Sequence, residues 1–202
     1  MTDKPIIFSA PMVRALLAGT KTQTRRLLKP PYGTLEWLGN AQWRPICTKI
    51  FPGDRLWVRE CWRTASAYDD LSPSQMGGEE PIRYEADQAW QTWGWGRPHS
   101  TGRHRAARHM PRWASRLTLV VTDVRVQRLQ EISEADAKAE GVGGVCWEDW
   151  RDYGGPSSYR LPFRSLWNNI HGPDAWDANP WVAAISFTVH RCNIDKMEEG
   201  TW

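Results

Sequence analysis

The sequence predicts an α+β fold, a small mixed β-barrel with short helices at its ends and a long loop insertion over 64–112. Residues 116–129 alternate in the way that one long bent strand or a hairpin does, with Leu117, Leu119 and Val121 on one face. The helical patterns are short, and the clearest has Phe163, Leu166, Trp167 and Ile170 on one face. Regular long helices do not separate the strand-like segments, which disfavours a doubly wound parallel sheet.

Length and composition indicate a globular chain. Its 202 residues are 41% hydrophobic and 24% charged, enough to form a core without disulfides or metals. We expect one domain over 5–190 and a polar C-terminal tail over 191–202. No apolar run reaches the length of a membrane span, and the first residues do not resemble a signal peptide. A soluble, cytoplasmic protein that does not bind membranes is therefore expected.

Helix boundaries can be read from capping residues. Ser9 and Pro11 suit the start of a helix that Gly19 ends, and Ser133 opens a second helix that stops at Gly141. Segment 21–26 is expected to be a loop that runs into a strand. The other predicted strands are 5–8, 55–62, 82–84 and 181–190, whereas 30–54 and 143–158 are expected to be mostly loop.

The cysteines and histidines do not predict a metal site. The four cysteines form no C-x-x-C pair, so free thiols are expected rather than zinc ligands or disulfides. Three histidines recur every five residues, a spacing that puts no pair on one helix face. These residues are Cys47, Cys61, Cys146 and Cys192, and His99, His104 and His109.

An arginine-rich strip lies at the end of the expected loop insertion. Residues 97–116 contain six arginines and no acid. Its arginines could neutralise phosphates, while Trp93, Trp95 and Trp113 could stack on bases. This pattern permits RNA as a partner. The alternative is a solvated loop without a ligand.

Lys21 and Thr24 could form a nucleophile and its base. They lie between a helix end and a strand, a position at which side chains often meet a ligand. A hydroxyl attacks only when a base takes its proton, and a buried lysine of lowered pKa can be that base. The alternative is structural, since threonine suits strands and lysine suits strand edges.

At these residues the chain resembles the ASCH family, whose domains are similar to PUA-like β-barrels. Gly19, Lys21, Thr24 and Arg26 fit the family pattern G-x-K-x-x-T-x-R. The Gly-Asp turn and apolar strand at 53–58 and the helical segment 132–141 follow in the family's order. The likeness covers about 5–190, with the least support over 64–112. It extends to longer ASCH-type proteins of bacteriophages and prophages, which share the Pro-Ile-Ile-Phe-Ser and Trp-Asp-x-Asn-Pro-Trp-Val segments.

The resemblance implies an activity. Some ASCH proteins are N4-acetylcytidine amidohydrolases with a threonine, a lysine and a glutamate as catalytic set. By that resemblance Thr24 is the nucleophile, Lys21 its base and Glu140 the carboxylate. An N4-acylated cytosine nucleoside is then the substrate, and no metal or cofactor is required. The expected substrate-binding residues are Arg26, Gly19 and Glu60. For Glu60 an ion pair with Arg55 or Arg59 is the alternative.

The sequence departs from that family in ways that bear on substrate range. It carries Gln23 and Arg25 where those enzymes have apolar residues, and it is about twice as long. A non-catalytic RNA-binding module and a ribonuclease therefore stay open as alternative functions. The acyl-chain preference, the choice between nucleoside and RNA, and the oligomeric state are not fixed by the sequence.

Overall fold

The structure is a computed structural model that describes residues 2–29, 35–39, 42–45, 49–94, 96–143 and 158–197. Helices and strands alternate irregularly along these segments, which confirms an α+β fold. The strands are β1 (Asp3–Ile7), β2 (Gln23–Leu27), β3 (Leu35–Gly39), β4 (Gln42–Pro45), β5 (Arg55–Arg59), β6 (Trp62–Arg63), β7 (Ile82–Tyr84), β8 (Trp90–Gln91), β9 (Thr118–Arg128) and β10 (Trp181–His190). The helices are α1 (Ala10–Leu17), α2 (Glu134–Ala139) and α3 (Arg160–His171).

The chain divides into two compact units. The first comprises Met1–Ala18, Gly53–Val120 and Thr188–Trp202, and the second comprises Gly19–Pro52 and Val121–Phe187. The long strands β9 and β10 contribute residues to both.

The first unit is built on three neighbouring strands. Strand β1 runs parallel to β5, with Asp3 opposite Arg55, and β5 pairs antiparallel with the first three residues of β9. Helix α1 has Pro11 in its first turn, as the sequence predicts, and buries Val13 and Leu16.

The segment 64–112, predicted as a loop insertion with one strand at 82–84, contains that strand as β7 and further regular structure beside it. Strands β6, β7 and β8 form an antiparallel sheet of their own. Trp62, Ile82 and Met110 are fully buried in a common core beside it. The strands are only two or three residues long, so they show no alternation. The buried residues also follow no helical or strand period, because turns separate them.

The second unit pairs β2 with β10 and places two helices against them. Strand β2 runs antiparallel to β10, with Gln23 opposite Ser186 and Leu27 opposite Val182. Helices α2 and α3 contribute Ala137, Phe163 and Trp167 to one apolar core. The predicted apolar face of α3 is only partly correct, because Ile170 is 62% exposed.

The remaining predictions of strands, loops and the C-terminal tail are partly confirmed. The predicted closing strand has the bounds of β10, and the strand predicted over 116–129 is β9. The expectation of loop over 30–54 is wrong where β3 and β4 form a hairpin. The expected polar tail 191–202 contains a buried Ile194, and residues 144–157 of the expected loop 143–158 lie outside the described residues. Within the described chain, no helix has both the length and the apolar character needed to cross a membrane.

Candidate functional site

The candidate site lies in the second unit, where the start of β2 meets the end of α2. The Ser133 hydroxyl accepts a hydrogen bond from Asp136 N at 3.0 Å and so begins the helix as an N-cap. Glu140 ends it, and Gly141 follows in the left-handed conformation with φ 78°. Lys21 and Glu140 then pair as a single antiparallel β-bridge. The backbone itself therefore fixes these two residues side by side.

The Lys21 ammonium is bound to Glu140 twice. Its Nζ donates to the Glu140 backbone carbonyl at 2.8 Å and to the carboxylate Oε2 at 2.9 Å. Lys21 is 1% exposed and Glu140 4% exposed. A charged pair removed from water to this degree is costly unless its hydrogen bonds are satisfied, and here both partners are engaged.

Arg25 binds the other oxygen of the same carboxylate. Its Nη1 lies 3.1 Å from Glu140 Oε1 and also donates to Gln23 Oε1 at 2.6 Å. Its Nη2 lies 3.1 Å from Asp136 Oδ2. Lys21 and Arg25 therefore share Glu140, one on each oxygen.

Asp136 connects this network to the exposed Arg125. It lies one helical turn before Glu140 and accepts from Gln23 Nε2 at 3.3 Å and from Arg125 Nη2 at 3.1 Å. The pKa of Asp136 is lowered, because the hydrogen bonds and charges of Arg125 and Arg25 outweigh the effect of burial. The side chain of Arg25 thus has a carboxylate on each side.

Three members of this network were missed as site residues in the sequence: Gln23, Arg25 and Asp136. A signal for them exists. Gln23 and Arg25 are two apart and so share one face of a strand, whereas Asp136 and Glu140 are four apart and share one face of a helix.

Burial controls the electrostatics of Lys21. Loss of water lowers the pKa of the Lys21 ammonium below its ordinary value, and the positive charges of Arg26 and Arg25 act in the same direction. The charge and hydrogen bond of Glu140 oppose this shift. A lysine of lowered pKa has a larger neutral fraction and can accept a proton.

Thr24 is buried on β2, with 5% exposure and Ile185 as its cross-strand partner. Because side chains alternate along a strand, Thr24 points to the face opposite Gln23 and Arg25. None of the hydrogen bonds among described residues involves its hydroxyl. Its role as nucleophile stays a prediction.

The expected binding residues Arg26 and Gly19 also lie in this unit. Burial lowers the pKa of Arg26, and the negative charge of Glu140 opposes that change, so Arg26 lies within the field of the carboxylate. Gly19 has φ 73°, a left-handed conformation that turns the chain toward Lys21.

Glu60, the third expected binding residue, lies in the first unit. Its two carboxylate oxygens accept from Arg116 Nε at 2.8 Å and Nη2 at 2.9 Å. Burial raises the pKa of the Glu60 carboxyl, although Arg116 opposes the shift. The suggested ion pair with Arg55 or Arg59 is wrong, because Arg55 binds Asp3 and Arg59 donates to the Met110 carbonyl.

An open groove of about 600 Å³ adjoins the Lys21–Glu140 bridge within the second unit. The Lys138 ammonium on one side lies 5.7 Å from the ring centre of Tyr159. Glu134 fixes the position of Tyr159 by accepting its backbone N–H at 2.6 Å. The lining includes Gly19, Thr20, Thr22, Lys138, Ala139 and Tyr159, which are donors or apolar groups.

The described residues contain no group of three or more histidines, cysteines or acids that could hold a metal ion. Cys61 and Cys192 are free thiols, and Cys47 and Cys146 lie outside the described residues.

Comparison with known proteins adds little. No model of a known protein family matches the chain, and no curated protein matches it. Among solved structures, the chain is similar to protein EF3133 from Enterococcus faecalis V583, described by the family model DUF984. The two share 11% identity over 98% of this chain and 86% of that one, with a TM-score of 0.42. At this level the likeness assigns neither fold nor function.

Proposed function

We propose that the protein is an ASCH-type amidohydrolase with a PUA-like β-barrel, which cleaves the exocyclic amide of N4-acylated cytosine nucleosides. One observation carries the proposal. Lys21 Nζ is nearly fully buried, lies 2.9 Å from Glu140 Oε2 and has a lowered pKa. A buried amine held by a carboxylate is what activation of a hydroxyl requires. The family pattern at 19–26 identifies Thr24 as that hydroxyl.

The reaction proceeds through an ester of Thr24. Because Thr24 points to the strand face opposite Gln23 and Arg25, the mechanism requires its hydroxyl to reach the Lys21 amine directly or through one water. The neutral amine then takes the hydroxyl proton as Oγ1 attacks the amide carbonyl carbon. Backbone N–H groups at the Gly19 turn donate to the oxyanion of the tetrahedral intermediate. The C–N bond then breaks, and the Lys21 ammonium gives its proton to the departing N4, so cytidine leaves with a neutral amino group.

The second half of the reaction restores the enzyme. Lys21, neutral again, takes a proton from water, and the resulting hydroxide equivalent attacks the Thr24 ester. The C–O bond breaks and the carboxylic acid leaves, while Thr24 regains its proton from Lys21. Both halves use the same amine as base and then as acid, so no other proton carrier is needed.

Glu140 and Arg25 are positioning residues in this scheme. Glu140 holds the amine through Oε2 and through its backbone carbonyl, so that Nζ keeps one orientation in both protonation states. Arg25 draws the same carboxylate toward Asp136 through Oε1. This competition weakens the stabilisation that Glu140 gives the ammonium form.

The groove beside the bridge accommodates the nucleoside. The ring of Tyr159 lines the groove and gives a pyrimidine an aromatic surface to pack against, and the exposed Thr22 offers a hydroxyl to a ribose. The family pattern G-x-K-x-x-T-x-R assigns Arg26 to substrate binding, for which a guanidinium donating to the O2 carbonyl of cytosine is suited.

Hydrolysis of N4-acetylcytidine, followed by the ultraviolet change to cytidine, tests the proposal. We expect turnover by the wild-type chain, and loss of at least a hundredfold in kcat for Thr24→Val and Lys21→Met. Thr122→Val is the matched control, because Thr122 is an exposed threonine of β9 that does not line the groove, so this variant should keep its activity. Unchanged turnover in Thr24→Val would refute the assignment. Absence of wild-type turnover, with salt-dependent retention or cleavage of RNA, would favour the alternative functions.

A further inference from the structure

A second pocket lies in the first unit, within the segment 64–112. It is an open pocket of about 300 Å³, lined by Pro73, Arg103, His104, Arg105, Ala106 and His109. Four of these six side chains are cationic or can donate hydrogen bonds, and none is an acid. A concave site with this lining is chemically suited to an anion.

The backbone presents these side chains on a fixed strip. Arg105 pairs with Trp62 in an antiparallel bridge, with N–H···O distances of 2.8 and 3.0 Å in the two directions. Gly102 N donates to Thr64 O at 2.8 Å, which continues the pairing. The strip is therefore held against β6, whose Trp62 is fully buried.

Arg105 is the unusual member of the lining. It is only 6% exposed, and its guanidinium lies 5.4 Å from the Trp62 ring centre. Of its three guanidinium nitrogens, only Nη2 has a partner among the described residues, the Tyr68 carbonyl at 2.8 Å. A buried guanidinium without a carboxylate partner is rare, because its charge has lost water and gained no counter-ion.

Asp69, the acid whose charge acts on Arg105, does not fill that role. Asp69 acts on Arg105 electrostatically, but its Oδ1 accepts from the backbone N–H of Arg103 at 2.7 Å. No ion pair joins Asp69 to Arg105 in the described part of the chain. Burial lowers the pKa of Arg105, and the charge of Arg103 adds to this effect. An incoming anion would supply the missing counter-charge.

The exposed residues of the lining can complete an anion shell. Arg103 and His104 are exposed and present a guanidinium and an imidazole. His109 accepts from Arg108 Nε at 3.0 Å through Nε2, which leaves its other ring nitrogen to carry the proton and donate. Arginine forks match the oxygen geometry of phosphate.

We infer that this pocket binds a phosphate group, with Arg105 as its buried anchor and Arg103, His104 and His109 as donors at its rim. The site is separate from the amide chemistry proposed for the second unit and does not depend on it. The phosphate belongs either to a mononucleotide or to the backbone of a single-stranded nucleic acid.

Calorimetric titration of the full chain with inorganic phosphate, at constant ionic strength in chloride, tests the inference. We expect one site per chain, and binding about tenfold weaker in the double variant Arg103→Ala/His104→Ala. Both residues are exposed, so this variant should fold. Arg97→Ala/His99→Ala is the matched control, because these residues are exposed in the same segment but do not line the pocket. Absence of phosphate binding, or equal binding by both double variants, would overturn the inference.

Competition identifies the source of the phosphate. Inorganic phosphate should displace cytidine 5′-monophosphate and a cytidine oligonucleotide from the wild-type chain. Tighter binding of the mononucleotide assigns the pocket to a terminal phosphate, whereas tighter binding of the oligonucleotide, with a steep salt dependence, assigns it to a backbone phosphate. Failure of inorganic phosphate to displace either ligand would count against the pocket as a phosphate site.

Discussion

The guanidinium of Arg25 binds Glu140 Oε1 at 3.1 Å, on the carboxylate oxygen that Lys21 does not use. Both contacts are buried, so their charges interact through little water. In the second unit, Glu140 thus holds together the start of β2 and the end of α2. The proposed activity depends on how the negative charge of Glu140 is divided between the two cations.

Replacing Glu140 should destabilise the fold as well as the site. Glu140→Gln leaves Lys21 and Arg25 buried without their shared counter-charge, and removal of one partner from such a pair costs about 3–5 kcal/mol in the free energy of unfolding. Urea unfolding followed by circular dichroism measures this change. Asp177→Asn is the control, because its ion pair with Arg164 is exposed at 3.4 Å and should contribute under about 1 kcal/mol. Equal effects of the two substitutions would contradict the account.

The sequence predicted some residues of this site but not the contacts between them. Lys21 and Glu140 were chosen from a family pattern, and the capping signals at Ser133 and Gly141 correctly located the helix that carries Glu140. The contact between Lys21 and Glu140 follows from a β-bridge across 119 residues of chain. No local pattern could have revealed that pairing.

The sequence did not predict the site and core residues whose roles depend on tertiary packing. Arg25 was noted in the sequence only as a departure from an apolar family position, because the carboxylates that hold it lie 115 and 111 residues away along the chain. The core around Trp62 and Tyr84 was missed for a related reason. Its members lie between short turns, so burial there has no period along the sequence.

The proposed chemistry should show a pH dependence that Arg25 controls. Lys21 acts as a base only when neutral, so kcat/KM should rise with pH through the lowered pKa of Lys21, below 10.5. The charge of Arg25 helps to lower that pKa, so Arg25→Met should move the rising limb to higher pH. A pH–rate profile for N4-acetylcytidine measures the shift.

Arg125→Met serves as the control for this profile. Arg125 is exposed and contacts Asp136 but not Glu140, so its loss should leave the limb close to the wild-type position. If the rising part of the pH–rate profile moved to lower pH in Arg25→Met, the charge of Arg25 would not be lowering the pKa of Lys21.

The N-cap of α2 should contribute measurably to stability. Ser133→Ala removes the hydrogen bond from Asp136 N and should cost about 1 kcal/mol in the free energy of unfolding. Because α2 has only six residues, fraying at its start should also reduce turnover by loosening Glu140 at its end. Thermal unfolding and the nucleoside assay test both effects. Ser165→Ala, on the exposed surface of α3, should leave both unchanged.

Gly102 should not tolerate a side chain. An added Cβ would lie 2.4 Å from Asp69 Oδ1 and 3.0 Å from the Ala65 carbonyl oxygen. Gly102→Ala must displace the carboxylate that holds Arg103 N, so we expect a loss of about 1–3 kcal/mol in the free energy of unfolding. Gly96→Ala has open space around its Cβ and should not lower stability. Denaturant titrations measure the free energy of unfolding of both variants. Similar unfolding midpoints for the two would contradict the close packing around Gly102.

The proposed activity requires that Lys21 lose its proton while it is bound to Glu140. Nuclear magnetic resonance of chains labelled at the lysine side-chain nitrogen measures this directly, with the Lys21 signal assigned by its absence in Lys21→Arg. We expect Lys21 to titrate with a midpoint below 10.5, the ordinary pKa of lysine, because burial lowers its pKa. A midpoint at or above 10.5 would mean that Glu140 locks Lys21 as an ammonium ion, which could not activate Thr24.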